Sequence, residues 1–85
     1  MEQHLRHLLD ELSAAMGRSK RHEEREELAR LQGAVESRIK AAGEDEEHSR
    51  LVDSLEKAEI RFESDHPALG RALRGAIEVL SSAGI

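Results

Sequence analysis

Apolar residues recur at helical spacing along nearly the whole chain, and strand-like alternation nowhere competes with them. That period leads to an all-α fold. In the first segment Leu5, Leu8, Leu9, Leu12 and Met16 share one face at about 100° per residue. Gly17 follows where a left-handed C-terminal cap is expected. A second segment begins near Ser19, a candidate N-cap, and Glu23 and Glu24 suit the positive end of its dipole. Its apolar stripe of Leu28, Leu31, Val35, Ile39 and Ala42 is only about 80° wide, nearer a coiled-coil seam than a broad core face. Arg38 interrupts a strict seven-residue repeat, so a long coiled coil is not expected. Gly33 sits inside this helix at a cost of about 1 kcal/mol relative to alanine, and Gly43 closes it.

The acidic run "EDEEH" opens a third segment, with Asp45 as candidate N-cap. Leu51, Leu55, Ala58 and Phe62 form its stripe, Val52 lies at the margin, and Ile60 projects from the opposite side. The single proline, Pro67, then sets a boundary. Proline pushes His66, the residue before it, out of helical geometry, and suits the first position of a new helix itself. Phe62, the only phenylalanine, falls in the last turn before this break and can fill the corner between two helices. Asp65 or His66 is the expected side-chain cap of the fourth helix. There Leu69, Leu73, Ala76, Ile77 and Leu80 face inward, flanked by Ala72 and Val79, while Arg71, Arg74 and Glu78 face out.

The expected fold is therefore a small antiparallel bundle of three to four helices in one domain spanning 1–85, with helices near 2–16, 20–42, 46–64 and 67–83. Eighty-five residues with 38% hydrophobic and 36% charged content leave little apolar material for a core. A chain of this size buries about 5,000 Å² of apolar surface, contributing roughly 125 kcal/mol. Ordering the chain costs roughly 130 kcal/mol. A partner surface would tip so even a balance, and a second copy is the simplest partner, so a homodimer is expected. Leu28, Leu31, Val35 and Ile39 are the candidate seam, and Leu55, Phe62, Leu69 and Leu73 the candidates for packing the corner.

The run "RFESDHPALGRALRGAIEVLSSAGI" combines a phenylalanine, an acid, His-Pro, spaced leucines and a terminal Gly-Ile. It resembles the small bacterial proteins of the domain of unknown function 4404 family. The leucine-rich "LRHLLDELSAAM" and the charged second helix are similar too, so the likeness spans the chain. It implies a short stand-alone helical protein with no assigned activity, in which Phe62, His66, Pro67, Gly84 and Ile85 belong to a shared signature. No catalytic residue is implied by it.

Other functions find little support. Net charge of −5 disfavours nucleic acid, whose binding depends on neutralising phosphates. Tyrosine and tryptophan are absent, so stacked bases have no aromatic platform. Without cysteine there is no disulfide or thiolate metal site, and a reducing compartment is compatible. Apolar runs are too short to span a membrane, and "MEQHLRHLLDELSAAM" carries acids where a signal peptide has a basic start. Cytoplasm is the expected location. Eight serines stand beside many acids, yet no nucleophile elbow or glycine-rich phosphate loop occurs. Neither an enzyme, a cofactor nor a small-molecule substrate is expected. The reading is a non-enzymatic, self-associating protein-interaction or regulatory module, whose protein partner the residues do not name. The alternative is a metal- or pH-responsive sensor. His4 and His7 are three apart on one helix, His48 adjoins Glu44 and Asp45, and His66 stands at the proline corner. On the helical wheel His4 and His7 turn away from the leucine stripe, toward solvent.

Overall fold

Antiparallel packing of neighbouring helices follows directly from which residues touch. The computed structural model describes residues 2–40 and 45–83, which form α1 (Glu2–Arg18), α2 (His22–Lys40), α3 (Asp45–Phe62) and α4 (Pro67–Ala83). Among the described residues there is no strand. Gln32 of α2 donates to Ser13 of α1 at 2.8 Å. Arg74 of α4 donates to Glu59 of α3 at 2.9 Å and to Glu63 just beyond it at 3.2 Å. His4 and Glu11 of α1 share a recess with Gly75 and Ala68 of α4, and Arg61 of α3 meets Glu27 of α2. Each pairing runs in opposite directions, giving an up-down-up-down bundle of 37 × 20 × 19 Å. Helices of 17–19 residues span about 26–28 Å, which sets the long axis.

The core lies where the four stripes meet. Leu5, Leu8, Leu12 and Ala15 of α1 pack with Leu51, Leu55, Ala58 and Phe62 of α3 and with Leu69, Leu73, Ala76 and Leu80 of α4. From α2 only Leu28 and Val35 are buried, while Leu31 and Ile39 pack half-buried against the same core. The narrow stripe predicted for α2 explains this: two residues, two turns apart, reach fully inward and the rest of the helix is mostly polar. α2 and α3 accordingly make the loosest of the four helix pairings.

Helix ends differ from expectation in three places. Gly17 lies inside α1, which continues to Arg18, and among the described residues no glycine has positive φ. It is therefore no left-handed cap. Nor is Ser19 the N-cap of α2. The helix starts at His22, the Arg21 carbonyl accepts from the Arg25 N–H at 3.1 Å, and the buried Ser19 hydroxyl donates to that same carbonyl. Arg25 ties the connection down by donating to the Ser19 carbonyl at 2.9 Å. α3 ends at Phe62, short of 64, and a turn over 63–65 leads into α4 at Pro67, as the proline requires. Ala42, Gly43, Glu44, Gly84 and Ile85 lie outside the described residues, as does the side chain of Asp45.

The corner also depends on Gly70, which helical periodicity does not single out. A Cβ there would stand 3.2 Å from the Glu63 Cα, so the missing side chain lets the turn cross α4's first turn closely. Arg74 braces the outside of the same hairpin. Its hydrogen bond to Glu59, with the charges of Glu59 and Glu63, raises the guanidinium above its ordinary value. This contribution is fully present below the ordinary arginine pKa and is lost as pH rises through the raised value.

Candidate functional site

Loose packing of α2 against α3 leaves an apolar groove along one side of the bundle. It holds about 530 Å³, with Leu31 and Ala34 from α2 and Ala58 and Ile60 from α3 among its lining. Small residues on both helices keep the floor shallow. Ile60 is 82% exposed, the one large hydrophobic side chain so exposed among the described residues. Around this floor the charges balance. Glu27 meets Arg61 across the groove at 3.1 Å, and Arg30–Glu26 and Lys57–Asp53 stand 3.9 Å apart along their own helices. On a chain of net charge −5 this is a locally neutral surface.

A second constellation forms at one end of that groove, around the proline corner. The His66 backbone closes both helices, its N–H donating to the Phe62 carbonyl at 2.8 Å and its carbonyl accepting from the Gly70 N–H at 2.9 Å. His66 thus holds the N-cap position of α4 in its backbone. Its side chain does not cap. Instead the imidazole is 7% exposed and its Nε2 lies 2.7 Å from a Glu24 carboxylate oxygen of α2. The Phe62 ring meets it edge-on at a centroid distance of 6.2 Å, and the Arg61 guanidinium lies over the Phe62 ring at 5.5 Å. His66 Nδ1 is buried without a hydrogen-bond partner. Asp65 is exposed and makes no hydrogen bond to α4, so neither proposed side-chain cap forms.

The remaining histidines are dispersed. His4 and His7 are exposed, as the helical wheel requires, and line a recess of about 270 Å³ between α1 and α4 with Glu11, Arg71 and Gly75. His48 sits on α3, and His22 pairs with Glu26 one turn along α2. Among the described residues no group of three histidine, aspartate or glutamate side chains converges as a metal site would. Nor, among them, is any helix long and apolar enough to cross a membrane.

Leu55, Phe62, Leu69 and Leu73 are all buried in the single core. Of the candidate seam, Leu28 and Val35 are fully buried and pack within the chain's own core. Of that seam Leu31 alone lines the groove. Sequence reading missed Glu24, Glu27 and Ala34. Glu24 looked like a dipole-compensating acid of α2's opening turn, and nothing local ties it or Glu27 to residues more than thirty positions away. A weak signal did exist in Ile60, whose position opposite the α3 stripe left it without an intrahelical reason.

The sequence pattern of the family described as Domain of unknown function (DUF4404) matches residues 2–85. No curated protein matches the chain. No solved structure matches it either.

Proposed function

Because the chain belongs to the DUF4404 family, whose description carries no activity, we propose its role from geometry: a non-enzymatic module that associates with itself and works through helical protein surfaces. One observation carries the reading, the apolar groove between α2 and α3 with Ile60 exposed at its edge. A monomer gains nothing from an isoleucine held in water beside a groove floored with leucine and alanine. A helix face laid into that groove would remove both from water, in the manner of helix-in-groove recognition. Mass in solution tests this, by size exclusion with light scattering across a wide concentration range. The expected result is a species of about twice the 9.5 kDa chain mass that persists on dilution to micromolar concentration. A single-chain mass at every concentration overturns self-association.

The second reading, a pH-responsive helical switch, is favoured only by the His66–Glu24 contact. Its proof would be a change in helicity or mass between pH 8 and pH 5 that His66→Gln abolishes. A wild-type chain unchanged over that range removes it.

A further inference from the structure

We infer that the groove receives a second copy of this chain in a two-fold arrangement, with Ile60 of each copy seated between Leu31, Ala34 and Ala58 of the other and the Glu27–Arg61 ion pair exchanged between copies. The inference rests on the self-association proposed above and assigns it a surface. A two-fold interface places residue i against j and j against i, so one patch must carry both halves of every contact. This patch does. Its knob, Ile60, and its hole of small residues lie on the same face, and its rim holds both an acid and a base that already attract one another at 3.1 Å.

Electrostatics favour this occupant as well. Two chains of net charge −5 repel one another, and they meet at least cost where the local charge cancels. The groove itself is lined by Glu27 with Arg30, Lys57 and Arg61, and Glu26 and Asp53 just outside it offset the two further cations.

Charge-reversal complementation tests the arrangement. Glu27→Arg and Arg61→Glu chains are each expected to dimerise at least tenfold more weakly than wild type, because each brings like charges together. An equimolar mixture is expected to recover at least that factor. In the mixed dimer both contacts join opposite charges, one between the two introduced side chains and the other between the native Glu27 and Arg61. Ile60→Asp is expected to weaken the dimer by a similar factor with its helical circular dichroism unchanged. The arrangement is overturned if the reversed chains dimerise like wild type, or if the mixture is no tighter than either chain alone. Were a reversed chain to lose helicity, Ile60→Asp decides, and an unaltered dimer constant for it is fatal to the arrangement. A wild-type dimer with any of those failures leaves self-association standing and only this surface refuted. A wild-type monomer removes both.

Discussion

His66 Nε2 lies 2.7 Å from Glu24 Oε1, although the two residues are 42 positions apart. The contact fastens the α3–α4 corner to the first turn of α2, where helix packing is otherwise loosest. Both side chains are largely withdrawn from water, so each depends on the other for its polar partner.

Removing either partner should therefore destabilise the bundle by about 1–3 kcal/mol, chiefly through the group left behind. A double-mutant cycle with Glu24→Ala and His66→Ala, followed by urea denaturation, is expected to return a coupling of about 1 kcal/mol or more. The same cycle on Glu26 and Arg30, which are half-exposed or more, should return no more than about 0.5 kcal/mol. Equal couplings would mean that burial does not strengthen the first pair.

Phe62 is the largest side chain at this corner and is 3% exposed. Phe62→Ala should cost about 3–5 kcal/mol. For 85 residues the whole stability is about 4–13 kcal/mol, so the variant is expected to be partly unfolded at 37 °C. Phe62→Leu keeps most of the volume and should stay folded, which a pair of thermal melts would establish.

The glycines at 33 and 70 should respond in opposite ways. A Cβ at Gly33 meets nothing within 4 Å, so Gly33→Ala is expected to stabilise by about 1 kcal/mol through helix propensity. At Gly70 the added Cβ presses on the Glu63 backbone at 3.2 Å, and Gly70→Ala is expected at or below wild-type stability. A Gly70→Ala chain as stable as Gly33→Ala would show that the turn yields freely.

Val35→Asp separates packing from association. With Val35 fully buried, the aspartate should cost at least about 3 kcal/mol of folding stability. Ile60→Asp, at the most exposed large hydrophobic position among the described residues, should leave the folding stability of the single chain, compared at concentrations where wild type is monomeric, within about 0.5 kcal/mol of wild type. Chemical denaturation of the two side by side checks both values.

Much of the fold was legible because helices are local. Leu5, Leu8 and Leu12 announce their shared face through spacing, and Pro67 sets a boundary through its own ring and its effect on His66. Caps were less legible. Ser19 has the chemistry of an N-cap, yet the connection turns it inward and leaves the Arg21 carbonyl to begin α2. His66 reads as a side-chain cap until the neighbouring hairpin brings up a carboxylate that holds the imidazole more directly. The groove was the least legible feature, since its two walls are weak helical faces that mean little apart.

By itself the sequence narrowed the bundle to three or four helices and determined their inward faces, the break at Pro67 and the corner filled by Phe62. These follow from periodicity, from proline's fixed geometry and from the supply of one large side chain. Only the tertiary structure decided that Leu28 and Val35 serve the chain's own core, that Glu24 belongs to His66 and Glu27 to Arg61, and that α2 and α3 stand apart around Ile60. The physical reason is that such contacts join residues as many as 42 positions apart. Helical spacing says which way a side chain points along its own axis, and only the packing of hairpin on hairpin says what it meets there.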